Sequence, residues 1–180
     1  MKPDPEQPDR DEVFPLRVII DTSVLIRYLI RPSAAIRTLV EHLWLSNQVQ
    51  MVTCPELLAE LEGVLQRDYM RTLIQPAEAN ALLRAVRRKA EFLPPLGTIP
   101  SYTRDRKDDK FIACAVVGRV RYVLTVDKDL LEMETLADIE MLTPHAFLAK
   151  DWTSSETSRQ HFSSTSPTPS PRPSSPKSRR

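Results

Sequence analysis

Residues 17–29 read RVIIDTSVLIRYL and contain the change from strand to helix that decides the fold. The short apolar run at 18–20 is typical of a buried parallel strand, and Asp21 ends it. Thr22 or Ser23 can cap the helix that follows, and Asp21 itself is an alternative cap. Because the carboxyl ends of parallel strands border the ligand crevice of an open α/β sheet, Asp21 is predicted to lie in that crevice.

A second acidic position lies on a helix predicted to begin at Pro55, in the segment CPELLAELEGVLQRDY. Proline fits the first helical turn, and four leucines and one valine then form an apolar stripe. Glu60 lies four residues after Glu56, so these two share a face, whereas Glu62 is rotated from Glu60 by about 200°. Glu60 is therefore the first candidate on this helix, Glu56 the second and Glu62 the third.

The densest acidic segment is residues 104–131, RDRKDDKFIACAVVGRVRYVLTVDKDLL. Its pattern predicts a polar loop, an apolar helix, a turn, a strand and a second acidic loop. Asp109 falls at the helix start, where the positive end of the helix favours an ionised carboxylate. The strand then brings Thr125 and Asp127 to the same sheet edge as Asp21.

Neighbouring polar residues are alternatives at the same positions. Asp105 and Asp108 share a loop with Asp109, and Asp129 follows Asp127 at a distance of two residues. The secondary candidates are Asp108, Asp105, Asp129, Thr125 and Ser23.

The four first candidates are Asp21, Glu60, Asp109 and Asp127. Converging carboxylates repel one another and raise each other's pKa unless a cation lies between them. Mg²⁺ and Mn²⁺ prefer such oxygen ligands, and the chain offers no Cys and His set with ligand spacing. Water activated by such a metal can attack a phosphodiester in line. The pattern therefore predicts hydrolysis of phosphodiesters without a covalent intermediate.

The chain resembles the PIN-domain proteins, specifically the bacterial toxin-like branch related to VapC toxins, in the order of four motifs: IIDTSVL, ELLAEL, DDKFIACA and VLTVDKDL. The resemblance covers residues 17–150. By this resemblance the four acids match the family's acidic positions, and Thr125 matches its strand-end hydroxyl. The family implies a Mg²⁺- or Mn²⁺-dependent endoribonuclease with an RNA substrate, often a homodimer, often silenced by an antitoxin protein.

Alternating strands and helices predict an α/β fold, a PIN-like three-layer α/β/α sandwich with a mostly parallel central sheet. The predicted strands are 17–20, 49–53, 121–125 and 139–142. The predicted helices are 23–30, 34–45, 55–67, 76–92, 109–117 and a last one capped by Thr143 and Pro144.

Composition divides the 180 residues into three parts. Residues 1–15 are predicted to be a flexible N-terminal segment, 16–152 the PIN-like nuclease domain, and 153–180 a disordered basic tail rich in Ser and Pro. The tail has five Lys or Arg residues and one Glu, a net charge of +4, which leaves −3 on the rest of the chain.

An acidic body differs from a basic nucleic-acid-binding module, so local bases must hold the substrate. Around the acidic loop, the candidates for RNA phosphate contacts are Arg104, Lys107 and Lys110, with Arg106 beside them. A second group lies on the helix after Pro76, at Arg84, Arg87, Arg88 and Lys89.

Cys54 and Cys114 lie in apolar contexts with no paired spacing, which predicts reduced core thiols in a cytoplasmic protein. No signal peptide is visible. The most apolar stretch, VIIDTSVLIRYLI, is too short and too charged to span a membrane.

Three other function classes fit less well. A P-loop or dinucleotide fold needs a glycine-rich turn after the first strand, and none of the three glycines lies there. A phosphoacceptor receiver domain needs a paired acidic cluster after its first strand, where only Asp21 is present. The third alternative is a catalytically silent PIN-like module that binds a protein or RNA partner.

Overall fold

The computed structural model describes residues 15–100, 102, 108–133 and 138–150. Five strands form one sheet, and every neighbouring pair is parallel. In chain order they are β1 (Leu16–Ile20), β2 (Val49–Thr53), β3 (Glu91–Phe92), β4 (Tyr122–Leu124) and β5 (Glu140–Leu142). The predicted tail, 153–180, and the predicted N-terminal segment except Pro15 lie outside the described residues.

Helices connect these strands. They are α1 (Thr22–Ile30), α2 (Ala34–Arg37), a π-helical continuation of α2 (Thr38–Trp44), α3 (Pro55–Leu65), α4 (Asp68–Leu73), α5 (Pro76–Lys89), α6 (Asp109–Gly118), α7 (Lys128–Leu131) and α8 (Pro144–Ala149). The last of these is capped as predicted, because the Thr143 hydroxyl accepts a hydrogen bond from the Ala146 amide at 3.1 Å.

Successive residues of β1 point into two different cores. Val18 and Ile20 pack with residues of α1, α5 and α8, whereas Ile19 packs with residues of α6 and α7. Full burial of each such aliphatic side chain contributes about 1.5–3 kcal/mol relative to exposure. Since helices cover both faces of the sheet, the predicted three-layer α/β/α sandwich is confirmed.

The order of strands in the sheet is β3-β2-β1-β4-β5, with β1 in the middle. After β1 the chain builds β2 and β3 on one side, and then crosses to build β4 and β5 on the other. The carboxyl ends of β1 and β4 therefore flank the point where the direction of strand addition reverses. Open α/β sheets bind their ligands at such a point.

The sequence patterns misplaced some elements. The helix predicted over 76–92 ends at Lys89, and β3 follows it at Glu91–Phe92. Two short helices, α4 and α7, were not predicted. The helix predicted over 34–45 is α-helical only to Arg37 and π-helical from Thr38 to Trp44.

Both cysteines are free and fully buried, which confirms the prediction of core thiols. They belong to the core on the α6 face of the sheet. The Cys114 thiol is hydrogen-bonded to Cys54, and this bond together with burial raises the pKa of Cys114. Within the described part of the chain, no helix has the length and apolarity needed to cross a membrane.

Candidate active site

Asp21 is the residue at which β1 becomes α1. Its backbone is extended, with φ −63° and ψ 147°, and its amide donates to the Leu124 carbonyl of β4 at 2.9 Å. The side chain caps α1, because Oδ1 accepts a hydrogen bond from the Ser23 amide at 3.2 Å. The cap of this helix is therefore Asp21, the alternative to Thr22 and Ser23.

Two hydroxyl groups hold the Asp21 carboxylate, one from two residues and one from 104 residues further along the sequence. Ser23 Oγ donates to Asp21 Oδ2 at 2.5 Å, and Thr125 Oγ1 donates to the same oxygen at 2.6 Å. The Thr125 hydroxyl also accepts from the Asp127 amide at 3.0 Å. The loop after β4 is thereby fixed against the end of β1.

Asp127 follows Thr125 and lies at the start of α7. Its Oδ1 accepts from the Asp129 amide at 2.9 Å, so it caps this short helix. Asp127 is exposed, unlike Asp21, of which only 4% is exposed. The site therefore combines one buried carboxylate with one that solvent can reach.

Burial raises the pKa of Asp21 above its ordinary value. The hydrogen bonds from Ser23 and Thr125 oppose this effect, and the negative charge of Asp127 adds to it. A buried carboxylate beside a second carboxylate is stabilised by a cation between them. The electrostatics of this pair therefore suit a bound cation.

Glu60 lies on α3 as predicted, but its charge has a partner. Lys110 Nζ of α6 lies 2.5 Å from Glu60 Oε2, and both side chains are about three-quarters buried, with exposures of 21% and 23%. The motif gave no sign of this ion pair, because it depends on the packing of α3 against α6. Lys110, predicted to contact RNA, forms an ion pair with a predicted metal ligand.

Asp109 begins α6 as predicted and is only 3% exposed. Its Oδ1 accepts a hydrogen bond from the Tyr102 amide at 2.8 Å. Asp108 precedes it as the cap residue and is half-buried. The alternative Asp105 and the predicted RNA contacts Arg104 and Lys107 lie outside the described residues, as does Arg106.

The family of the chain is shown by its sequence. A family model described as PIN domain matches residues 17–129, which is more than half of the chain. This chain belongs to the PIN-domain family. The family resemblance of the four motifs is thus confirmed.

Other comparisons add less. No curated protein matches this PIN domain. Its fold is similar to a solved structure titled "Crystal structure of VapBC2 from Rickettsia felis bound to a DNA fragment from their promoter", with 11% identity and a TM-score of 0.48. The match covers 71% of this chain and 98% of the other. At so low a similarity, no residue role passes from one protein to the other.

The PIN domain brings together only part of the predicted acidic set. Asp21, Thr125, Ser23 and Asp127 form one connected group. In the described ranges, no three Asp, Glu, His or Cys side chains are close enough to form a metal centre. Mg²⁺ commonly keeps several waters and binds through one or two carboxylates plus substrate phosphate. The Asp21 and Asp127 pair fits that mode of binding.

Proposed function

We propose that this PIN domain is a Mg²⁺- or Mn²⁺-dependent endoribonuclease that hydrolyses RNA phosphodiester bonds, and that it is the toxin of a toxin–antitoxin pair. PIN domains are generally nucleases, which supports this kind of activity. The observation that carries the proposal is the buried Asp21 carboxylate, held by two hydroxyls at the reversal point of the sheet. A group held this firmly is ready to bind a metal without further ordering.

In this proposal Asp21 and Asp127 would hold the divalent ion, and Asp109 and Glu60 are the further acidic residues of the site. When bound there, the ion would supply an activated water and would stabilise the charge that develops on the phosphate. Thr125 and Ser23 keep the Asp21 carboxylate in one orientation, because each donates a hydrogen bond to Oδ2. The Asp127 backbone is fixed by the same threonine hydroxyl.

The partners follow from the same proposal. RNA is the substrate, an antitoxin protein silences the enzyme, and two copies of the chain form a homodimer. The place of action is the cytoplasm, where Cys54 and Cys114 remain reduced thiols.

The test is cleavage of a mixed RNA pool by the purified full chain, with Mn²⁺, with Mg²⁺ and with EDTA. Asp21→Asn keeps the shape of the side chain but removes its charge. Asp68→Asn is the matched control, because Asp68 is an exposed carboxylate on α4. We expect metal-dependent cleavage by the wild type and by the control variant, and no cleavage by Asp21→Asn, which still folds.

The second candidate function is the silent module that binds a protein or RNA partner. The Glu60–Lys110 ion pair favours it, because this lysine already balances the charge of one predicted ligand. An absence of cleavage by the wild type in every metal, across a varied RNA pool, would support the silent module and contradict the nuclease.

A further inference from the structure

A small cleft of about 150 Å³ opens beside the Asp21 site. It lies between the end of α1 and the start of α8, and it reaches the edge where β4 and β5 end. The residues that line it include Arg27, Arg31, Ser33, Val126, Thr143 and His145. A water molecule occupies about 30 Å³ of liquid, so the cleft can hold a group several times larger than water.

The cleft and the Asp21 site share a wall. The Val126 amide lies 3.4 Å from Ser23 Oγ, the same hydroxyl that donates to Asp21. Arg27 comes four residues after Ser23 on α1 and shares its face, about 6 Å further along the helix. The cleft is therefore the immediate neighbour of the Asp21 site.

The cleft is positively charged. Arg27, Arg31 and His145 are exposed, and none of them forms an ion pair with any carboxylate in the described ranges. Guanidinium groups bind phosphate through paired hydrogen bonds, and a ring nitrogen of histidine can add another. The lining is thus complementary to an anion with several acceptor oxygens.

The position of Arg27 near the end of α1 also stabilises the helix, since cations are favoured there. That effect does not account for His145, which comes from the first turn of another helix. Nor does it account for the meeting of both helices around one cleft beside a carboxylate. A shared ligand accounts for all three residues.

We propose that this cleft binds a phosphate of single-stranded RNA, adjacent to the phosphodiester held at Asp21. This proposal rests on the proposed function, because the RNA substrate of that function is what would extend from Asp21 into the cleft. The contacts are ground-state contacts with the RNA backbone, so they carry no base specificity.

Binding in EDTA tests this without any cleavage. The affinity of the full chain for a fluorescein-labelled mixed-sequence RNA 12-mer is measured by anisotropy at several salt concentrations. Each phosphate contact contributes about −0.7 to the slope of log K against log salt for single strands. We expect Arg27→Gln and Arg31→Gln each to reduce the slope by about 0.7 and to weaken binding about tenfold in low salt.

Two variants serve as controls. Arg31→Lys keeps the charge, so the slope stays near that of the wild type. Arg71→Gln removes an exposed arginine from α4, which does not line the cleft. We expect this variant to bind RNA like the wild type.

The cleft proposal is overturned if Arg27→Gln and Arg31→Gln both bind RNA with the affinity and the salt slope of the wild type. It is also overturned if the wild type binds no RNA. The two proposals fail separately. If the wild type cleaves RNA and the cleft variants bind RNA as the wild type does, the nuclease proposal stands and the cleft proposal fails. If these variants bind RNA more weakly but the wild type never cleaves RNA, the cleft proposal stands and the nuclease proposal fails.

Discussion

The Thr125 hydroxyl donates a 2.6 Å hydrogen bond to Oδ2 of Asp21, and the two residues are 104 positions apart in the sequence. Thr125 is fully buried and Asp21 almost so, with exposures of 0% and 4%. The bond joins the carboxyl ends of two neighbouring parallel strands. It therefore forms only when β4 has paired with β1, and it links correct folding to the geometry of the site.

Thr125→Val tests the role of this bond. Valine keeps the branched shape, but it can neither donate a hydrogen bond to Asp21 nor accept one from the Asp127 amide. We expect the free energy of unfolding to fall by about 1–3 kcal/mol and RNA cleavage to fall about 10–100-fold. Thr125→Ser keeps the hydroxyl and should retain most of the cleavage. Equal cleavage by wild type and Thr125→Val, measured at saturating metal, would contradict the positioning role.

The Glu60–Lys110 ion pair gives a second prediction. Because Lys110 already balances the charge of Glu60, Glu60→Gln should reduce cleavage less than Asp21→Asn does. Comparing initial rates of the two variants on one RNA checks this. A larger loss with Glu60→Gln than with Asp21→Asn would show that Glu60, rather than Asp21, is the principal ligand.

The elements that could be predicted from sequence are those whose apolar pattern is local. The run at residues 18–20 marked β1, and the leucine stripe after Pro55 marked α3. In contrast, α4 has no buried residue among those that the structure describes, so no periodic apolar stripe indicated this helix in the sequence. The two-residue strand β3 is defined only by its pairing with Val52 and Thr53 of β2, which lie far from it in the sequence.

The site was predictable to the same extent. Asp21, Thr125 and Asp127 end or follow strands, so their position at one sheet edge follows from the parallel pattern. The ion pair of Glu60 with Lys110 depends on how two helices pack, and the hydrogen bond of Asp109 with Tyr102 depends on a loop. Neither leaves a periodic signal in the sequence. The roles of these acids in metal binding stay predictions.

A cluster of charges at the edge strand β5 predicts how stability depends on pH. Burial raises the pKa of Glu140, but hydrogen bonds and charges of Lys150 and Arg121 outweigh this and bring its pKa below the usual value. A carboxylate with a lowered pKa stabilises the fold above its unfolded pKa of about 4.3 and loses that contribution as pH falls through the folded value.

Glu140→Gln should therefore be less stable than the wild type at pH 7, by up to about 1 kcal/mol because the group is partly exposed. The difference should shrink as pH falls below about 4. Urea unfolding at a series of pH values measures it. The exposed Glu132 provides the matched control, since Glu132→Gln should show no such trend. A difference that grows in acid would contradict the assignment.

The two thiols give a prediction about access. Cys54 and Cys114 are both fully buried in the core on the α6 face. Thiol reagents react with exposed thiolates, so native protein should react with Ellman's reagent far more slowly than protein in urea. Two thiols should be counted after unfolding. Immediate reaction of either cysteine in the native protein would show that this core opens readily.

Binding of Mn²⁺ tests the central claim, that the Asp21 carboxylate holds a catalytic metal, most directly. The free-ion signal in electron paramagnetic resonance reports how much Mn²⁺ the full chain removes from solution, for wild type, Asp21→Asn and the control Asp68→Asn. We predict that the wild type and the control bind Mn²⁺ equally. Asp21→Asn should bind it at least about tenfold more weakly, because removing a direct metal ligand weakens metal binding more than removing a residue that only contacts a ligand. Equal Mn²⁺ binding by wild type and Asp21→Asn would contradict the claim.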